Sequence, residues 1–559
     1  MFLRRIRRAA PWLVLAGCFL ALCVFMWRNV TDLLDSDMAS DMIYANLLAR
    51  EGSFLSENWY YSTELRIIHN HLYFAPLFYL TQDWHLVRFL GTVISYALLL
   101  ASLGALMRRA GLWRWFPLVG TVLLLPLSQL YFRFVLVANF YIAYLILTFL
   151  LLALALAQSA PCPPRARALR LAALLPLSVA AGLGGYRFLY LFSLPLAAAA
   201  LYLRLRHGPV PRVSRLLGGA MLSLGAALLG AALNRLVLAN RYVFSSYDSM
   251  AFLNFSFDRV TDFLSFLPTL LGFPTGQPVL SVYAAPAALS LLLLALAGWS
   301  VLSALRAPRG AVEDVSPAPD APHSAPGNPP AFGEQVLALF AGFALAFYLA
   351  LLALTDVETY QYHFLPLAAL CVPLAAFRLD RLPASGPLLP AGPAAAAGAP
   401  RRSGPRLSPR AAGAGLLACL LAVTSAVNYR YYSRLDNTYE QRMLLNTLAE
   451  EGYDTGYASF WLGNVLTELS GGEVEMYLLD RPFASADILI SGVSGWLQER
   501  SHLERRPEGK VFILFSKYYH ETDYPLFANL DPSRAIYESP YLIALGYESF
   551  DDLYSDAAS

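Results

Sequence analysis

About eleven times along this chain an apolar run is long enough to cross the ~30 Å hydrocarbon core of a bilayer, which takes roughly 20 helical residues. The runs lie near residues 11–31, 86–107, 115–130, 134–157, 168–185, 188–203, 215–239, 279–305, 334–355, 363–378 and 411–428. Hydrocarbon offers the backbone no hydrogen-bond partners, so such runs must form helices that satisfy their own N–H and C=O groups. Composition agrees: 57% of the 559 residues are hydrophobic and 14% are charged, against about 25% charged in soluble domains. A net charge of +2 is too small for a nucleic-acid binder, since phosphate recognition relies on clustered basic residues on a water-exposed face. The five cysteines show no CxxC spacing, and the C-terminal segment has none, which supports neither a structural zinc site nor a disulfide framework. The first apolar run is too long for a signal-peptide core and has no obvious small-residue cleavage site, so it reads as a retained span.

Arginine placement orients the chain. With the N-terminus in the cytoplasm, Arg108, Arg109 and Arg114 fall in an inner loop, and so do Arg165 to Arg170, Arg204 to Arg215, Arg306 with Arg309, and Arg378 to Arg410, as the positive-inside rule requires. An odd number of spans then divides the chain into a membrane domain, 1–428, and an extracytoplasmic domain, 429–559. Two inner loops, 307–333 and 382–410, are rich in Ala, Pro and Gly and are expected to be disordered linkers. The outer segments 32–85 and 240–278 are long, aromatic and mixed in charge, the character of folded loops that carry function.

In the C-terminal segment the pattern predicts helices over Tyr439 to Glu451 and Trp461 to Leu469, each closed by glycine. Strands are predicted at Val474 to Leu479, Asp487 to Ile490, Lys510 to Ser516 and Arg534 to Glu538. The alternation implies a small α/β domain. It has no phosphate-binding glycine loop and no nucleophile elbow, so no chemistry is assigned to it.

Just past the first span, Asp32-Leu-Leu-Asp35-Ser-Asp37-Met-Ala-Ser-Asp41 leads a helix expected to start at Ser36 or Asp37 and to end at Gly52. Asp37 and Asp41 then share a face. Asp35 or Asp37 can serve simply as the N-cap. Equally, three acids at the mouth of a span can repel one another and, half-buried, act as a base.

An acid cluster past the first span, an amphipathic helix closed by Gly52 and then an aromatic stretch resemble the signature of the GT-C superfamily of membrane glycosyltransferases. The likeness is closest to the branch of protein mannosyltransferases and lipid A aminoarabinose transferases. Asp37 matches the leading Asp of that signature; the acid that usually follows is here Met38, and Asp35 and Asp41 stand as substitutes. Gly-Leu-Gly-Gly-Tyr186-Arg187, followed by an apolar run and Pro195, is similar to a second element of related sequences. Tyr360-Gln-Tyr362-His363-Phe-Leu-Pro366 is similar to a third, with Gln361 and His363 where an Arg usually stands.

The resemblance implies a polytopic α-helical membrane protein with a small C-terminal extracytoplasmic α/β domain. It further implies sugar transfer from a polyprenyl-phosphate donor to a glycan, lipid or protein acceptor at the outer face. Asp37, helped by Asp35 or Asp41, would take the acceptor proton. One carboxylate opposite the leaving group implies inversion. Arg187, then Arg66, Arg133 and Arg241, would hold the phosphate, because guanidinium forks match phosphate oxygens. Arg133 and Arg187 could instead snorkel to lipid headgroups. Trp59, Tyr61 and Glu64 would face the sugar, though aromatics at a membrane surface also serve as anchors; Tyr360, Tyr362 and His363 complete the candidate binding set. His69 and His71 could hold a divalent metal ion with Asp37, or form an ordinary solvated pair. A lipid-linked glycan flippase or a non-catalytic envelope scaffold are the rival readings, but the polar residues collect at one face and no repeat relates the two halves, unlike most transporters.

Overall fold

The computed structural model describes residues 2–63, 65, 67–244, 251–252, 255–273, 276–308, 331–356, 361–382, 408–481 and 483–559. Glu64, Arg66, Tyr360 and most of the two loops expected to be disordered lie outside the described residues, as does the side chain of Tyr362.

Among the described residues nine helices are long and apolar enough to span a bilayer: Ala9–Asn29, Trp84–Ala110, Ile142–Ser159, Pro164–Leu183, Leu189–His207, Pro211–Asn240, Val282–Leu305, Phe332–Leu354 and Pro409–Tyr432. The chain is a multi-pass membrane protein. Two of the expected runs do not make full-length spans. The run 115–130 yields only Phe116–Leu123: Pro126 supplies no N–H and disfavours helical backbone at the residue before it. The run 363–378 makes Leu365–Arg381, 17 residues long. The run 134–157 becomes a helix only from Ile142. Before it come a π-helical stretch, Phe132–Val137, and Asn139 at φ 60°, a left-handed conformation that asparagine tolerates.

Four N-terminal helices position the acid cluster: α1 (Phe2–Asn29), α2 (Ser36–Glu51), α3 (His71–Phe78) and α4 (Trp84–Ala110). The membrane core packs Leu22, Tyr96, Leu136, Leu145 and Val336, all fully buried. Helices Pro164–Leu183 and Pro211–Leu236 meet backbone to backbone, since a Cβ on Gly182 would lie 2.0 Å from the Ala227 carbonyl oxygen. Small residues allow such close approach, and dispersion and lipid release then hold the pair.

The basic clusters gather at one end of the bundle. Arg215 donates to the Ser159 carbonyl at 3.1 Å, Arg206 to that of Ala307 at 3.0 Å, and Arg410 to that of Leu382 at 3.1 Å. Glu334, fully buried, joins Arg378 and Arg381, each at 2.6 Å, and Asp380 joins Arg114. The acid cluster lies past the other end of α1, beside the start of α4.

The C-terminal segment carries a five-stranded sheet of order β2-β1-β3-β5-β4, with β1 (Thr455–Ser459), β2 (Glu475–Leu479), β3 (Val511–Ser516), β4 (Ala535–Glu538) and β5 (Leu542–Tyr547). β1 pairs parallel with β2 and β3, which requires a crossover; helix Phe460–Leu469 supplies it. The strand expected at Asp487 to Ile490 is a short helix, Ile488–Ser491, while β1 and β5 were not foreseen. The segment between α2 and α3 joins this domain: the N–H of Tyr60 donates to the Gln498 carbonyl at 2.9 Å and that of Leu497 to the Tyr60 carbonyl at 2.8 Å.

Candidate active site

Asp35 is the N-cap of α2. Its backbone is extended, and its carboxylate accepts the Met38 N–H at 2.9 Å, closing one of the four donors a helix start leaves open. Its other oxygen takes Arg133 at 3.0 Å. Gly52, at φ 63°, closes the helix, a conformation that favours glycine. Asp37 sits in the first turn, half-buried. Asp41 follows one turn later on the same face; it accepts the Asn70 side-chain amide at 2.8 Å and stands 3.6 Å from Nδ1 of His69.

His69, buried, leads from α2 to the second motif. It shares a cavity of about 30 Å³ with Tyr144, Gly184 and Arg187, room for one or two waters. Arg187 is itself buried, its guanidinium carbon 5.8 Å from the Tyr144 ring centre. The third motif continues the line. Tyr144 lies 5.8 Å from Tyr141, Tyr141 lies 6.4 Å from His363, and Nδ1 of His363 is 3.1 Å from the Tyr348 hydroxyl. Three short motifs far apart in sequence therefore meet at one end of the bundle. Phe364, next to His363, opens an apolar cavity of about 580 Å³ whose walls include Tyr131, Phe263, Leu267 and Leu349.

Other expected site residues have different surroundings. Trp59 and Tyr61 are 1% and 5% exposed. The Tyr61 hydroxyl lies 2.9 Å from that of Tyr44 and donates to the Ser56 carbonyl; burial pushes both phenols well above their ordinary range. These rings are packed in the core of the loops beside α2 and α3 rather than set out as an open sugar platform, a consequence of an aromatic-rich loop folding on itself. Arg241 is an exposed partner of Glu57, with its own neighbour Tyr242 beneath it. The His71 ring packs edge-on against Tyr44 and Phe54, at 5.5 and 5.9 Å, while His69 turns to Asp41. Successive odd residues at a bend do not converge, and among the described residues no three His, Cys, Asp or Glu side chains gather as a metal-ligand group. The expected metal set of Asp37, His69 and His71 does not fit.

Asn70, Tyr141, Tyr144 and Tyr348 were missed by the sequence reading. The break at Asn139 was the available signal, since a polar residue inside an apolar run is uncommon without a purpose.

No protein-family model matches the chain, and no curated protein matches it in sequence. Solved structures do match its fold. ArnT from Cupriavidus metallidurans in the apo state superposes with a TM-score of 0.55 at 13% identity, covering 99% of each chain. The same protein bound to undecaprenyl phosphate gives 0.53 at 15% identity, covering 96% of this chain and 98% of that one. From the first span to the last strand, the chain has the fold of ArnT.

Proposed function

We propose that this protein is an inverting glycosyltransferase that moves a sugar from a polyprenyl-phosphate carrier to an acceptor hydroxyl or similar nucleophile. The acceptor is a glycan, lipid or protein at the outer face of the cytoplasmic membrane. One observation carries the reading: His69 pairs with Asp41 and shares a small cavity with Arg187, Tyr144 and Tyr141 lead from there to His363, and the neighbouring Phe364 lines a 580 Å³ apolar cavity. A headgroup and a prenyl tail need that pairing. The fold likeness to a protein solved with undecaprenyl phosphate supports it.

In the proposed reaction Asp37 accepts the proton of the acceptor O–H as its oxygen attacks the anomeric carbon. The bond from that carbon to the phosphate oxygen breaks and the phosphate leaves with the electron pair. Arg187 receives the charge that develops there, in a buried setting where a guanidinium is worth more than in water. Arg133, Arg66 and Arg241 remain secondary phosphate candidates, and Glu64, Tyr360 and Tyr362 remain candidates for the sugar. The gathering of arginines at the far end of the bundle supports a cytoplasmic N-terminus and an extracytoplasmic C-terminal domain.

Membranes carrying the wild type, Asp37→Asn or Arg187→Ala are supplied with radiolabelled polyprenyl-phosphate sugar, and label on endogenous acceptor is counted. Asp37→Asn should lose about 10²- to 10⁴-fold in rate, the usual worth of a general base. Undiminished transfer by that variant refutes the assignment, and altered lipid sidedness without transfer would mark a flippase.

A further inference from the structure

The helix that carries Asp37 is gripped from behind by the C-terminal domain. We infer that Glu468, on helix Phe460–Leu469, is a positioning residue for Asp37, acting through Arg88 and the Met38 carbonyl, so that the C-terminal domain takes part in the transfer step itself. This rests on the function proposed above.

Arg88, one turn into α4, and Glu468 have side chains only 3% and 4% exposed. Arg88 meets the carboxylate with both Nε and Nη2, the latter at 2.5 Å, a forked pair that fixes direction as well as distance. The same Nη2 donates to the Met38 carbonyl at 2.8 Å. Met38 is the residue after Asp37, so the fork holds the peptide that joins them. One turn earlier on the Phe460 helix, the side-chain amide of Asn464 donates to the Ser40 hydroxyl at 2.9 Å, and Ser40 donates to the Ser36 carbonyl at 2.6 Å. Two successive turns of α2 are therefore pinned by one helix. Asn464 also donates to the Leu497 carbonyl at 3.1 Å, which ties the same point to the loop that pairs with Tyr60. Just past this helix Gly472, at φ 85°, seats against Trp84, where a Cβ would come within 2.9 Å of the indole.

Stability alone does not account for this arrangement. Buried ion pairs lose in desolvation about what they gain in attraction, and apolar residues of the same volume often serve as well. What the pair supplies is register: a guanidinium with one fixed orientation, shared between a domain-borne carboxylate and a backbone oxygen of the helix that bears the base. A base displaced by about 1 Å can cost on the order of 100-fold in rate.

The test uses the full chain in lipid nanodiscs, with steady-state transfer, binding of polyprenyl phosphate and thermal unfolding measured on each variant. Glu468→Gln is expected to lower kcat on the order of 10- to 100-fold while donor KM and polyprenyl-phosphate binding stay within about twofold, because ground-state contacts are untouched. Should Glu468→Gln fail to fold, Asn464→Ala, which strands no buried charge, is expected to lower kcat about 10-fold with KM unchanged. A folded Glu468→Gln or Asn464→Ala protein with wild-type kcat, beside an inactive Asp37→Asn, overturns the positioning role and leaves the proposed function standing. Full activity in Asp37→Asn overturns both.

Discussion

Asp35→Asn and Asp37→Asn should differ sharply although the residues are two apart. Asp35 has two duties in the structure: it caps α2 through the Met38 N–H and it pairs with Arg133. Asparagine caps about as well as aspartate, so the first duty survives the change. The second is lost, but the Arg133 side chain is 51% exposed and that of Asp35 is 20% exposed. Such a pair is worth about 0.2–1 kcal/mol after screening. At about 1.36 kcal/mol per tenfold, even a loss felt wholly at the transition state lowers the rate by about fivefold. Asp35→Ala removes cap and pair together, costing about 1–2 kcal/mol of helix stability and shifting the unfolding midpoint by a few degrees. Transfer of radiolabelled sugar in membranes, with unfolding followed by tryptophan fluorescence in detergent, separates the two. If Asp35→Asn loses as much activity as Asp37→Asn at an unchanged melting temperature, Asp35 is part of the chemistry and the division drawn between cap and base is wrong.

Three further outcomes are expected. Gly182→Ala places a Cβ 2.0 Å from a backbone oxygen and should cost at least about 1–3 kcal/mol, seen as a lowered melting temperature. Leu267→Trp narrows the 580 Å³ apolar cavity and should raise donor KM several-fold for long-chain donors but not for a short-chain analogue; equal effects on both would remove the lipid tail from that cavity. In the C-terminal domain the His502 hydrogen bond holds the Glu475 carboxyl below its ordinary range. A depressed carboxylate stabilises the fold above its unfolded pKa, and the gain disappears as pH falls through the folded value. The unfolding midpoint of the wild type should therefore drop on acidification below about pH 4.5 more than that of Glu475→Gln.

The membrane helices were legible because hydrocarbon imposes length and apolarity on every span. Where local backbone chemistry intervened, at Pro126 and Asn139, the apolar run continued but the helix did not, and runs counted by hydropathy alone misplaced its ends. In the C-terminal domain the helix Tyr439–Glu451 formed as read, since an amphipathic period and Gly452 at φ 76° are local signals. β1 was not seen because Thr-Gly-Tyr-Ala-Ser has little intrinsic strand preference. Its backbone is held by partners on both sides, β2 and β3, and all five of its residues are buried. Asp487-Ile-Leu-Ile had the strand composition instead and took a single helical turn, because short apolar runs do not distinguish the two.

The site was legible in pieces and for a physical reason could not be legible whole. A soluble enzyme can seat a base and its phosphate-binding loop within one short motif, whose spacing is visible in sequence. Here the groups stand on different helix ends, and the bundle brings those ends together: Asp41 meets His69 across a loop, His69 meets Arg187 across a cavity, and His363 joins through Tyr141. Each contributes one or two residues, so each motif is weak alone. The aromatics Trp59 and Tyr61 are the opposite case, dense in sequence and packed in a buried cluster. Arg88 and Glu468 carried no sequence signal at all, one sitting a turn into an apolar helix and the other on an amphipathic helix. Their near-complete burial is what marks them, together with the Met38 carbonyl that Arg88 also holds, which ties the pair to the first turn of α2.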